Sequence, residues 1–159
     1  MPDFAIRLAR VDDALAICDI YDFHVAHGTA SFDSAGPSEA EWAVKIAEAS
    51  AQSWPFLVAE CGGAVVGYAY AAQFRPRAAY ARTCENSIYV ADAARGQGIG
   101  LRLLLALVDA ARSASVRARG VISGVVEGVF RGGACPTPEC GVAGGHRAHR
   151  YGGVCRLQP

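Results

Sequence analysis

Polar and apolar positions follow a strand rhythm and a helical rhythm in turn between Phe4 and Ser123. Phe4-Ala5-Ile6-Arg7-Leu8 alternates, as a half-buried strand does. Asp12 or Asp13 can cap a helix on which Leu15, Ile17, Ile20, Tyr21 and Val25 recur at helical spacing, ending near Gly28. Ser38 and Glu41 fit a capping box, and the helix behind them would carry Trp42, Ile46 and Ala49 on one face. The stretches from Phe56 to Glu60 and from Ala64 to Phe74 read as strands joined by Gly62-Gly63, a hairpin signal. After the break at Arg75-Pro76-Arg77 comes another strand, from Thr83 to Val90, then a glycine loop and a helix from Gly98 to Ser113. The order βααβββα predicts an α+β fold with helices flanking a sheet, and no internal repeat is visible.

After Ser123 the character changes. Residues 124–159 are rich in Gly, Arg, Cys and Pro, and only Val125 to Phe130 resembles a strand. Such a stretch buries too little surface to offset its ordering entropy, so low order is expected there. The chain therefore divides into a core, 1–123, and an aberrant tail, 124–159.

Composition narrows the class. With 159 residues, 52% hydrophobic and 19% charged, the chain is long enough for one domain with a real core. A formal net charge of zero without a basic run argues against nucleic acid or anionic membranes as partners. No apolar stretch has transmembrane length, and the charged start lacks a signal-peptide core, so a cytoplasmic location is expected. Cys18, Cys61 and Cys84 sit in apolar segments and read as small core or near-core residues without disulfides.

The loop Arg95-Gly96-Gln97-Gly98-Ile99-Gly100 follows a strand and opens a helix. Helix N-termini present unpaired N–H groups at the positive end of the macrodipole, and glycines let a bulky anion approach them. A phosphate or pyrophosphate fits; an ordinary glycine-rich turn is the plain alternative. A Walker loop is excluded because Leu101-Arg102 follows Gly100 where Lys-Ser/Thr is required. The dinucleotide fingerprint is excluded because glycines at 96, 98 and 100 do not space as G-x-G-x-x-G.

Arg95, Gly98 and Gly100 occupy the defining positions of motif A of the GNAT superfamily of N-acetyltransferases, which this loop resembles. The stretches "IRLARVDDALAICDIYDFHVAHGTASFD", "GYAYAAQFRPRAAYARTCENSIYV" and "ARGQGIG" further resemble the phosphinothricin and methionine-sulfone acetyltransferase branch, over Phe4 to Ser123. The resemblance implies a GNAT acyltransferase fold with a mixed, mostly antiparallel sheet, its C-terminal part incomplete or irregular here. It implies acetyl-CoA as cosubstrate, without a metal, and a small amino-acid-like primary amine as acceptor; a homodimer would be in keeping with relatives. The pantetheine arm would run beside Ser87, Ile88, Tyr89 and Val90, and the pyrophosphate would sit on the amides of Arg95, Gly96, Gln97, Gly98, Ile99 and Gly100.

Acetyl transfer to nitrogen requires an amine that has lost its proton, and a carboxylate can accept it. Glu85 matches the glutamate to which the branch's base role is assigned; alternatively it is an edge-strand carboxylate paired with an arginine. The oxyanion donor would be a backbone N–H near Val90. Tyr89 reads more simply as core. Arg75, Arg77, Tyr80 and Arg82 precede the strand where the branch forms its acceptor pocket, and an arginine there can bind a carboxylate. Solvated loop arginines are the alternative, for these and for Arg95. Thr29, Ser31 and Phe32 match a stretch near the acceptor site. His24 and His27 read as helix-end or pocket-lining residues rather than catalysts.

Relatives continue past Val121-Ile122-Ser123 with an Asn-rich turn, a fourth helix and two last strands, none of which is readable here. The single lysine, Lys45, against fourteen arginines suggests a GC-rich gene, and such a gene read out of frame gives a tail of this composition. A frameshift between positions 114 and 124 is the expectation, leaving a remnant that at most binds coenzyme A as the alternative to an active enzyme. Cys135, Cys140, His146, His149 and Cys155 could supply zinc ligands, but their spacing is irregular.

Overall fold

The computed structural model describes residues 4–28, 33–73, 77–78, 84–113, 121–123 and 154–156. Its elements run β1 (Ala5–Leu8), α1 (Ala14–His27), α2 (Glu39–Ala51), β2 (Phe56–Cys61), β3 (Ala64–Gln73), β4 (Cys84–Val90), α3 (Ile99–Ser113), β5 (Val121–Ser123) and β6 (Val154–Arg156). Short 3-10 turns precede α1 and follow β4. The α+β order expected from the hydrophobic pattern is present. The first four strands form one sheet in sequence order with antiparallel neighbours throughout. The β2–β3 hairpin turns on Gly62 and Gly63 at φ +57° and +84°, the backbone that a two-residue type I′ turn demands.

The sheet separates two cores. Leu57, Ala59, Ala69, Ala71, Ile88 and Val90 pack with Ile99, Leu103 and Leu107 of α3. Phe56, Val58, Tyr68 and Tyr89 pack instead with Ile17, Ile20 and Tyr21 of α1 and Trp42 and Ile46 of α2. One face is thus aliphatic and the other aromatic, which the strand period of two imposes on each strand. The capping box of α2 forms as expected: Ser38 Oγ accepts the Glu41 N–H, and Glu41 accepts the Ser38 N–H at 2.7 Å.

Three readings need correction. Asp13 precedes α1 but makes no side-chain cap. Its carboxylate instead takes the Arg7 guanidinium through both oxygens, at 2.7 and 2.8 Å, and the Arg10 N–H at 2.7 Å. A charged bidentate partner outcompetes a neutral helix N–H. Leu15 is 55% exposed, because the buried stripe of α1 runs through Ala14, Ile17, Ile20, Tyr21 and His24. The tail holds a strand at Val154–Arg156, paired antiparallel with β5, where no element was expected; three residues are too few to show a period. The strand expected from Val125 to Phe130 lies outside the described residues, as do Cys135, Cys140, His146 and His149. Cys18, Cys61 and Cys84 are free thiols. Among the described residues no helix is long and apolar enough to cross a membrane, and no group of three or more His, Cys, Asp or Glu side chains could hold a metal ion.

Gly67 lets α3 close on the sheet. A Cβ there would lie 3.0 Å from the Tyr89 carbonyl oxygen and 3.3 Å from Leu103 Cδ1. Gly67→Ala should therefore lower the unfolding free energy by about 1–3 kcal/mol, the usual cost of overpacking. Urea denaturation checks this, and an unchanged midpoint would contradict the close approach.

Arg7 also reaches Glu60 at 2.7 Å, so it joins β1, β2 and the turn before α1. The hydrogen bonds from Arg7 hold the Asp13 carboxyl below the usual carboxylate range, against a smaller opposing effect of burial. A depressed folded-state pKa contributes stability that is complete above the unfolded value, near pH 4, and is lost as pH falls through the folded one. Asp13→Asn should be less stable than the parent by about 1–3 kcal/mol at neutral pH. The difference should shrink as pH falls below about 4, as followed by urea unfolding across pH; a gap constant with pH would contradict the pairing.

Candidate functional site

The site begins at the free edge of β4. The Ala91 N–H donates to the Val66 carbonyl at 2.9 Å, and β4 pairs with β3 from Gly67 opposite Val90 to Gln73 opposite Cys84. In an antiparallel ladder, successive residues aim their backbone groups to opposite sides. Ser87 and Tyr89 therefore direct theirs at β3, while Asn86, Ile88 and Val90 present N–H and C=O at the outer edge. β5 lies close to β4 but, among the described residues, ladder-pairs only with β6. Of the four strand positions expected to meet a pantetheine arm, Ile88 and Val90 have outward-facing backbone groups and Ser87 and Tyr89 do not. Ser87 and Tyr89 face the aromatic core with their side chains.

The glycine loop continues from that edge. After a 3-10 turn at Asp92–Ala94, Gly96 and Gly98 adopt φ of +76° and +78°. These values favour glycine, and a Cβ built at either position meets nothing within 4 Å, so the space above the loop is open. The first helical bond runs from the Arg102 N–H to the Gly98 carbonyl at 3.1 Å. The N–H groups of Ile99, Gly100 and Leu101 therefore have no acceptor within the helix, at the positive end of α3. The helix starts at Ile99, one residue later than expected, because Gly98 takes the left-handed conformation.

Arg95 is tied back toward α1. Its guanidinium lies 3.2 Å from His24 Nδ1, 3.3 Å from Asp92 and 5.9 Å from the Phe23 ring centroid. Gln97 is exposed and donates weakly to the Ala93 carbonyl at 3.4 Å. Glu85, also exposed, lies opposite Ala72 on the face of β4 that carries Ser87 and Tyr89. Among the described residues no arginine pairs with it. Arg77 is exposed. Arg75, Tyr80, Arg82, Thr29, Ser31 and Phe32 lie outside the described residues.

Several residues near the site were not legible as such in the sequence. Tyr89 is buried, as its core reading requires, yet its hydroxyl donates to Tyr21, whose own hydroxyl donates to Asp33. Burial pushes the Tyr89 phenol above its ordinary range, reinforced by Tyr21. Burial also raises Tyr70, against the opposing hydrogen bond from Ser87. The alternation of Tyr68 with Tyr70 on one strand and Ser87 with Tyr89 on the next is the signal that could have grouped them. His24, expected to be a helix-end or pocket-lining residue, is buried at 1% exposure with Nε2 at 2.9 Å from the Val90 carbonyl. His27 is a helix-end residue as read: it is exposed, stacked on Phe23, and bonded through Nδ1 to the Phe23 carbonyl at 3.0 Å. A cleft of about 270 Å³ lined by Leu8, Ile46, Trp54 and Ala110 lies by β1, at the opposite edge of the sheet, and no ionisable side chain lines it.

Known proteins match this arrangement. The chain is 47% identical over 103 residues to a phosphinothricin N-acetyltransferase of Alcaligenes faecalis, covering 65% of this chain and 52% of that one. It is 36% identical over 110 residues to an L-methionine sulfoximine/L-methionine sulfone acetyltransferase of Pseudomonas paraeruginosa, covering 69% of this chain and 64% of that one. The chain thus spans about half the length of the first relative and under two thirds of the second. A phosphinothricin acetyltransferase from Sinorhizobium meliloti, solved in complex with AcCoA, superposes with a TM-score of 0.65 at 38% identity, over 75% of this chain and 65% of that one. An N-acetyltransferase from Staphylococcus aureus gives a TM-score of 0.69 at 32% identity, over 76% and 74%. With the family pattern matched from residue 18 to 127, across the open strand edge and the glycine loop that leads from it, the chain belongs to the acetyltransferase (GNAT) family.

Proposed function

We propose that this chain transfers acetyl from acetyl-CoA to the primary amine of a small amino-acid-like substrate of the phosphinothricin or methionine-sulfone kind. The observation that carries it is the continuity of a β4 edge that has no ladder partner among the described residues with a loop of two left-handed glycines at the start of α3. Ile88 and Val90 offer backbone hydrogen bonds to an extended, amide-bearing chain. The loop, with open space above Gly96 and Gly98, offers N–H groups to a pyrophosphate. The names of the relatives support the acceptor class.

When bound, acetyl-CoA supplies an acyl group activated as a thioester. The protein's part is to bind, orient and move a proton. The outward N–H of Val90 can stabilise negative charge on an acyl oxygen placed against that edge. Glu85, an exposed carboxylate on the same strand, can take the proton of an incoming ammonium directly or through water. Arg75, Arg77, Tyr80 and Arg82 would recognise an acceptor carboxylate from the segment before β4. A second reading is coenzyme A binding without turnover. It is favoured by the family match ending at residue 127, short of the remaining 32 residues of the chain. Titration with acetyl-CoA beside an acetylation assay separates the two.

Gly98→Val should weaken acetyl-CoA binding at least tenfold, about 1.4 kcal/mol or more, by forcing a Cβ and a different backbone into the loop. Gly63→Val, also at positive φ but in the distant hairpin, should leave affinity unchanged. Calorimetric titration of both folded variants checks the pair, and equal affinity in the two would remove the loop from the cofactor site.

Glu85→Gln keeps shape and hydrogen bonding while removing the base. Turnover of a phosphinothricin- or methionine-sulfone-like amine should fall by roughly 10²–10⁴-fold. Acetyl-CoA affinity should hold, because β4 meets the cofactor through its backbone. Lost affinity would make Glu85 structural, and full turnover would assign the proton to another acceptor.

A further inference from the structure

Val90 ends β4 with its carbonyl aimed at the outer edge, where an adjoining strand would normally donate an N–H. No strand ladder-pairs there among the described residues, and the donor comes from a helix instead: His24 Nε2 lies 2.9 Å from the Val90 oxygen. The other end of the same peptide unit, the Ala91 N–H, is held by the Val66 carbonyl at 2.9 Å. A planar peptide gripped at both ends has little freedom to rotate. It sits where the strand becomes the glycine loop.

The second ring nitrogen faces the loop. His24 Nδ1 lies 3.2 Å from Arg95 Nη2. A guanidinium can only donate and a carbonyl can only accept, so both contacts are satisfied by one form of the ring, neutral with the proton on Nε2. Phe23 and Tyr89 flank the imidazole at centroid distances of 5.8 and 5.3 Å and fix its plane. Asp92, at 3.3 Å, holds Arg95 from the opposite side.

We propose that His24 is a positioning residue that couples the reacting end of β4 to the cofactor loop. Nε2 sets the conformation of Val90, whose N–H faces the acyl group. Nδ1 anchors the Arg95 side chain against α1 and so fixes the first residue of the loop that would meet the pyrophosphate. The inference rests on the acetyl-CoA reading of the loop.

The two nitrogens can be tested apart. In His24→Gln the amide nitrogen reaches the Nε2 position and keeps the Val90 contact, while Arg95 loses its acceptor. Acetyl-CoA Kd should rise about tenfold, the scale of a hydrogen bond to a charged group, with kcat nearly unchanged. In His24→Asn the side-chain oxygen reaches the Nδ1 position and keeps Arg95, while the Val90 carbonyl loses its donor. Here kcat should fall about tenfold with Kd nearly unchanged. Equal losses of both quantities in both variants would show a merely structural histidine, and no loss in either would show no coupling. Nitrogen NMR of the histidine rings should find His24 protonated on Nε2 alone at neutral pH. Protonation on Nδ1 overturns the proposal without any need for turnover. A parent protein that binds no acetyl-CoA overturns the cofactor reading itself, whereas a binding parent with unaltered variants overturns the coupling alone.

Discussion

A strand that ends a sheet without a ladder partner leaves a row of backbone donors and acceptors to be satisfied by something else. Among the described residues that strand is β4, whose outer edge has no ladder partner. The sheet runs in sequence order so that β4 lies at its end. Alternation along the ladder gives the edge to Ile88 and Val90 and leaves Ser87 and Tyr89 to β3. The last outward carbonyl, too buried to rely on water, is met by His24 from α1.

The two cores serve that edge differently. On the aliphatic side, Gly67 allows Leu103 and Ile99 to approach β3 closely, which brings the start of α3, with its N–H groups that lack a helical acceptor, up to the end of β4. A larger residue at 67 would push the loop from the strand it continues. On the aromatic side, Tyr21, Tyr68, Tyr70 and Tyr89 fill space beneath α1 and α2, while Tyr21 and Tyr70 carry hydroxyls to Asp33 and Ser87. Rings fill a core and place polar tips at its rim with few rotatable bonds. This face therefore joins packing to a polar surface near Glu85.

Far from the site, Arg7 binds Asp13 and Glu60 in one cluster, fixing the turn that launches α1 against the β1–β2 edge. The placement of α1 matters because the same helix delivers His24 and Tyr21. A stability determinant at one edge of the sheet thereby sets the position of side chains at the other.

The sequence by itself determined the elements from Ala5 to Ser113 and the identity of the glycine loop. Strand alternation, the capping box at Ser38 and the paired glycines of the hairpin are local signals, set by residues a few positions apart. They also located Glu85 on the strand before the loop. Tertiary structure decided what long-range partners decide. Asp13 has the composition of a cap, but Arg7, brought up by β1, claims its carboxylate. His24 has the spacing of an ordinary helix residue, and only the meeting of α1 with the end of β4, sixty-six positions away, gives both ring nitrogens their partners. Which of four consecutive strand residues faces the open edge depends on the register with β3, and no pattern within β4 encodes that register. The short pairing of Val121–Ser123 with Val154–Arg156 is of the same kind: three-residue strands carry no period, so their partners exist only in the folded chain.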